Sequence, residues 1–282
     1  MSSIYVSTVC LSGKEPLDVR VARYAAAGLN AVEFGAGVTV EGELPQGDYL
    51  IHNYFPPPQE SFVLNLASRD DTVRQRSIDL ARNGLELCAR MGAPFYSVHA
   101  GFITDPTGFG KTSFIFPMPE SGEEVDAAWE TFLASVALLI EDAERLGVGL
   151  LIENNVCPLD LKGKLLLQTP QEFLALFERI RSTRLGILLD TGHLRVSAAT
   201  YGLDPAACVT ELAAHIRAFH LHDNDGLSDL HLPAERTSWA VAAIQSPSFQ
   251  DHPVVVESRH ENAAVLAGYV DDLQRWRRET QP

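Results

Sequence analysis

Six hydrophobic runs of this chain close on a side chain that binds divalent metals. DYLIH ends on His52, FYSVH on His99, GLLIE on Glu153, GILLD on Asp190, RAFH on His220 and PVVVE on Glu257. Imidazole and carboxylate are ordinary ligands of zinc, manganese and cobalt, and magnesium accepts the carboxylates. One such residue, taken alone, is a polar strand terminus. Glu153, Asp190, His220 and Glu257 close four successive runs, and unpaired buried charge is too costly to repeat four times. They form a candidate quartet for one ion, with coordination positions left for water or substrate.

Further candidates surround the quartet. LLDTGH places His193 three residues after Asp190, on the turn leaving the strand. HLHDNDGLSDLH carries His220, His222 and His231 among aspartates, and His220 and His222, two apart, share one strand face. Asp229 and His231 make a D-x-H pair suited to a second ion or to a hydroxyl-rich ligand. Glu33 ends the second strand, where it can bond a ligand hydroxyl or support a metal ligand from behind. Arg259, just after Glu257, suits a phosphate, a carboxylate or a neighbouring glutamate. Lys111 and Arg195 are the other cations placed to meet an anion. GFGKTS lacks the spacing of a phosphate loop, and no GxSxG is present.

The elements that must position these residues alternate along the chain. Strands are expected near 4–9, 31–35, 49–52, 95–99, 149–153, 186–190, 217–222 and 254–257. Helices are expected near 16–28, 70–91, 123–146, 170–182, 205–215, 237–245 and 263–278, several with start signals such as Asp70 and Pro170. Continuously apolar strands suit a sheet buried on both faces. Eight strand–helix units argue for an α/β chain folded as one (β/α)8 barrel over residues 1–282, which keeps its chemistry at the strands' C-terminal ends. A doubly wound sheet is the alternative, and the missing GxGxxG after the first strand disfavours its dinucleotide-binding form. GAGVTVEGELPQG, before Asp48, is too rich in glycine for a full helix. The Gly-, Pro- and Phe-rich loop at 101–122 has the length of a lid over the mouth or of a surface excursion packed on its own aromatics.

Composition narrows the partners. The chain has 282 residues with 37 acids against 22 bases, a net charge of −15, which disfavours the basic face a nucleic-acid binder needs. No apolar run reaches the roughly 18 residues of a membrane span. The N-terminus enters a strand at once and lacks signal-peptide character, so the expected compartment is the cytoplasm. Cys10, Cys88, Cys157 and Cys208 form no CxxC pair and fit buried free thiols.

VEFG, HNYFPPP, VLNLAS, VHAGF, LIENN, LLDTGH, HLHDNDGLSDLH and VVES together resemble the xylose isomerase-like TIM barrels. That family includes sugar epimerases, inositol-pathway enzymes and the endonuclease IV type of apurinic endonuclease, and the resemblance covers nearly the whole chain. It implies one divalent ion (Mn, Co, Zn or Mg) on Glu153, Asp190, His220 and Glu257. His220 is preferred to His222 because the family's ligand precedes an acid by three residues, here Asp223. It also implies Glu153 and Glu257 as the catalytic pair that moves protons on a sugar, sugar phosphate or polyol. The endonuclease-type members use a larger set, matched here by His52, His99, Glu153, Asp190, His193, His220, Asp229, His231 and Glu257, so up to three ions are conceivable.

Three functions therefore stand at this stage. The favoured one is a metal-dependent isomerase or epimerase with one ion and a small sugar-like substrate. The second is a multinuclear zinc phosphodiesterase or other hydrolase. The third is a non-catalytic ligand- or partner-binding barrel. A homo-oligomer is compatible with each.

Overall fold

A computed structural model describes residues 4–110 and 114–279. Eight parallel strands close into a barrel: β1 (Ile4–Ser7), β2 (Ala31–Phe34), β3 (Asp48–His52), β4 (Phe95–His99), β5 (Gly149–Glu153), β6 (Leu185–Asp190), β7 (Ile216–Leu221) and β8 (Val254–Val256). Each strand pairs with the next in the chain, and β8 pairs with β1 to close the ring. The barrel expectation is met, and the doubly wound alternative is excluded by the closure.

The period of two along each strand builds the interior in layers. Ala31, Tyr5, Leu50, Phe95, Leu151, Leu188, Ala218 and Val255, one from each strand, pack as an apolar floor. Two residues further along the same strands stand Ser7, Glu33, His52, Ser97, Glu153, Asp190, His220 and Glu257, all buried. The floor is thus capped by a ring that carries no hydrocarbon side chain. The opposite strand faces, including Val6, Val32, Ile51 and Tyr96, join the core shared with the helices.

Those helices are α1 (Leu17–Ala26), α2 (Asp71–Met91), α3 (Gly122–Leu146), α4 (Pro170–Arg179), α5 (Thr191–Tyr201), α6 (Pro205–Leu212), α7 (Trp239–Gln245) and α8 (Ala263–Glu279). Their starts follow the sequence signals. The Asp70 carboxylate accepts from the N–H groups of Thr72 and Val73, and Thr169 with Glu172 forms a capping box behind Pro170. Arg20, fully buried, braces the β1–α1 loop through Glu15 and the carbonyls of Thr8, Leu11 and Gly13.

Three expectations change. First, two helices, α5 and α6, link β6 to β7 where only the second was expected, while β2 and β3 are joined without a helix, as the glycine content of 34–47 foretold. The sequence reading placed His193 on a turn. It lies instead in the first turn of α5, because the Asp190 carboxylate caps that helix through the His193 N–H at 2.7 Å. Second, several strand and helix ends move by one to three residues, so His222 and Glu257 lie just beyond β7 and β8. Third, the 101–122 segment forms a two-stranded hairpin (Gly108–Phe109 with Phe114–Ile115), and Phe116 packs with Cys157, Leu161 and Leu165. None of its described residues lines the central cavity, so it flanks the mouth in this structure. Lys111 lies outside the described residues. All four cysteines are buried free thiols. No helix among the described residues is long and apolar enough to cross a membrane.

Gly84 sets how closely α2 approaches the barrel. A Cβ there would lie 2.3 Å from the Tyr96 ring, which is held by its hydroxyl on the Asn53 carbonyl at 2.6 Å. Gly84→Ala should therefore destabilise by about 1–3 kcal/mol through overpacking. That sign opposes the gain of roughly 1 kcal/mol from helix propensity alone. A melting temperature equal to or above wild type would show that the helix moves away freely.

Candidate metal centre

The polar ring and the loops above it enclose a cavity of about 280 Å³ lined by His52, His99, Glu153, His193, Asp229, His231 and Glu257. Strand register brings the ligands level. His99 pairs with Glu153, and Asp190 pairs with His220.

The centre is best read from the nitrogen atoms of its imidazoles. His52 Nδ1 is hydrogen-bonded with Ser97 Oγ at 3.0 Å, and its Nε2 faces Glu153 Oε2 at 3.4 Å. His193 Nδ1 meets the Asn154 carbonyl at 3.0 Å and His231 Nδ1 meets the Glu257 carbonyl at 3.1 Å. A carbonyl only accepts, so both Nδ1 atoms carry the proton. Both Nε2 atoms then point at Asp229 Oδ2, at 3.6 and 3.2 Å. His220 is turned the other way. Its Nε2 donates to the Glu33 carboxylate at 3.0 and 3.1 Å. Its Nδ1 faces Glu153 Oε1 at 3.3 Å, Glu257 Oε2 at 3.4 Å and Asp190 Oδ2 at 3.6 Å.

Three donor sets result. His52, His99 and Glu153 form the first, with His99 Nε2 at 3.2 Å from Glu153 Oε2. Glu153, Asp190, His220 and Glu257 form the central set. His193 and His231, which both face Asp229, form the third with it, and His222 offers a ligand atom within 4.8 Å of those of Asp229 and His231 and, separately, of those of Asp190 and His193. Ligands about 2.0–2.1 Å from one tetrahedral ion lie about 3.4 Å apart, which matches the observed spacings. His220 Nδ1, Glu153 Oε2 and His222 Nδ1 are buried without a hydrogen-bond partner, which is compatible with cations beside them. The donors are all nitrogen and oxygen, so the residues fit zinc, manganese, cobalt or magnesium and offer no thiolate.

Charge tells the same story. Burial disfavours charge on His220, yet Glu257, Glu33 and Glu153 outweigh it and raise its pKa well above the usual imidazole value. Burial likewise acts against His193, and Asp190 with Asp229 raises its pKa. Burial pushes Glu153 upward, but His99, His220 and His52 hold it well below the carboxylate range. Burial dominates at Glu33, which is raised, and at His52, which is lowered. Without an ion, protons on His220 and His193 supply the positive charge these carboxylates require.

The candidates thus divide. All nine residues of the larger set converge on one centre. Glu33 lies behind His220, away from the cavity. His222 donates to Asp190 at 2.9 Å and does not line the cavity. Arg259 lines the rim. Arg195 pairs with Asp223 at 3.3 Å. Sequence reasoning missed the supports: Ser7 on Glu257 at 3.3 Å, Ser97 on His52, and Asn154 bonded to the Asp190 backbone in both directions. It also missed Asn224, whose side chain bonds Asp229 and the N–H groups of Leu230 and His231. Asn154 sits in the quoted LIENN, but nothing in its residue type marks it as a support.

Comparison with known proteins agrees with this architecture. The family described as xylose isomerase-like TIM barrel matches residues 21–279. A probable endonuclease 4 of Chloroflexus aurantiacus is 28% identical over 221 residues, covering 71% of this chain and 68% of that protein. An uncharacterized protein of Methanocaldococcus jannaschii, MJ1311, is 29% identical over 173 residues, 60% of this chain, and the match spans about half (51%) of its length. A crystal structure of a D-tagatose 3-epimerase-like protein superposes with a TM-score of 0.73 at 21% identity, covering 99% of this chain and 98% of the other.

Two outcomes test the centre. Ion binding must displace protons from His220 and His193, so apparent affinity for Zn2+ or Mn2+ should rise with pH between about 6 and 8, with measurable proton release. Calorimetry in buffers of different ionisation enthalpy would read it, and a pH-independent affinity would contradict the charge balance. Glu33→Ala should weaken the tightest ion by roughly 10–100-fold, with Glu33→Gln between it and wild type, because Glu33 fixes the His220 tautomer.

Proposed function

Because the chain belongs to the xylose isomerase-like TIM barrel family, we propose that it is a divalent-metal-dependent enzyme with a multinuclear centre that hydrolyses an ester bond, a phosphate ester first among them, in a small hydroxyl-rich substrate. The observation that carries this reading is the position of Glu153. Its Oε2 faces His52 and His99 while its Oε1 faces His220 and His193. Both oxygens are therefore engaged, and a carboxylate shared between two donor sets is a bridge and a poor shuttle for a substrate proton.

The residues divide the work. His52 and His99 would hold an ion with Glu153, the central quartet a second, and His193, Asp229 and His231 a third. Divalent ions in such sets supply Lewis-acid polarisation of the ester and acidify water. The side chains fix the donors, and the apolar floor beneath them excludes bulk water. Glu257 lines the cavity, accepts from Ser7 on Oε1 and faces His220 with Oε2, so it would serve the central set as a ligand, with the proton of the attacking water passing to solvent or to the leaving oxygen. A cavity of about 280 Å³ suits a small molecule, and the net charge of −15 disfavours a nucleic-acid substrate. The likeness to endonuclease 4 supports hydrolysis as a reaction class.

One observation favours a second reading. Glu153 and Glu257 both line the cavity, from strands three apart in the barrel. With the central set alone filled, that pair fits proton transfer next to a sugar carbonyl, as in an isomerase or epimerase.

Metal content per chain separates the two. Two or three ions, with hydrolysis of bis(p-nitrophenyl) phosphate or p-nitrophenyl phosphate, are expected. Glu153→Gln should remove more than one ion and cut turnover at least about 100-fold. One ion per chain, with solvent deuterium entering a ketose, would replace hydrolysis by isomerisation.

A further inference from the structure

His222 touches two of the three donor sets, and this rests on the multinuclear reading above. It is fully buried. Its Nε2 meets Asp190 Oδ1 at 2.9 Å and Oδ2 at 3.0 Å. A carboxylate accepts, so Nε2 carries the proton, and Nδ1 is the one atom with which His222 could itself ligate, beside Asp229 and His231. Its ring lies flat against His231, with centroids 4.3 Å apart and planes 14° apart, and stands edge-on to His193 at 5.7 Å. One imidazole therefore holds Asp190 of the central set and backs two members of the third.

The surrounding backbone is arranged to keep that ring in place. Thr191 Oγ1 donates to the His222 carbonyl at 2.6 Å and lies 3.2 Å from the His222 N–H. Gly192 leaves the space it occupies: a Cβ there would stand 2.0 Å from His222 Cε1. Its Nδ1 is buried and has no hydrogen-bond partner.

We propose that His222 is a positioning residue that links the filling of the central and third ion sets. An ion in the central set holds Asp190, which orders the ring that donates to it. The ordered ring presents His231 and His193 to Asp229 at a lower entropic cost. By reciprocity, filling the third set tightens the central one. No hydrogen bond, ion pair or ring contact joins His222 to His52, His99 or Glu153 among the described residues, so the first set meets this linkage only indirectly, through the Glu153 it shares with the central set.

The test is a stepwise titration of the full-length, chelator-cleared protein with Zn2+ or Co2+ against a chromophoric competitor, with Co2+ absorption reporting geometry. His222→Ala should weaken two of the ions by roughly 10–100-fold each, affect the remaining one least, and keep the number of ions. His222→Gln restores a donor to Asp190 without a ring to stack, so it should recover the central ion to within about threefold and leave the third weak. Gly192→Ala keeps the imidazole but displaces it, and should repeat the His222→Ala pattern; its metal-free melting curve shows whether the chain folds. Three results would overturn the proposal: unchanged affinities in His222→Ala, one ion lost outright so that His222 is a ligand, or equal weakening of every ion. A wild-type protein that binds a single ion fails the multinuclear reading before any variant is compared, and removes the linkage with it.

Discussion

The centre depends on hydrogen bonds that commit one nitrogen of each supported imidazole. Ser97, the carbonyls of Asn154 and Glu257, and the Glu33 carboxylate each engage the nitrogen that faces away from the donor sets. For His193, His231 and His220, whose partners only accept, the opposite nitrogens are directed at carboxylates. Such an arrangement is stable only when a cation stands between them, whether a proton or a metal ion.

That constraint explains the layered interior. The apolar floor, with one side chain from each strand, closes the barrel and keeps water from below. The ring above it takes a polar residue from each of the same strands, two positions further on. Stability and chemistry thus occupy adjacent layers of one set of strands. The carboxylates in the upper layer are costly to bury, and the lower layer with the helix contacts offsets that cost.

Glu153 is where the two chemistries of this fold diverge. With its two oxygens facing different donor sets, it would bridge two ions if both sets were filled. With only the central quartet filled, it would be one of two carboxylates facing a small cavity. The loop residues Asp229 and His231 and the strand ends His52 and His99 decide between these states, because they determine how many cations the ring can hold.

Much of this was legible in the residues alone. The six ligand-ended runs, the alternation of strands and helices and the absence of a helix before Asp48 are local patterns, and a period of two assigns strand residues to the interior without any coordinates. Other features needed the fold. Whether His220 offers Nδ1 or Nε2 depends on Glu33, 187 positions away. That the His222 ring rests on Asp190 while His220 faces the carboxylates of the central set depends on Asp190 and on the space left by Gly192. The α5 helix was missed because its capping group is itself a candidate ligand. Sequence determined which side chains face the barrel axis, since that parity is fixed by the strand. Only the tertiary structure decided which nitrogen of each ring is free and how the ligands divide into sets, since those follow from partners that meet only when the barrel closes.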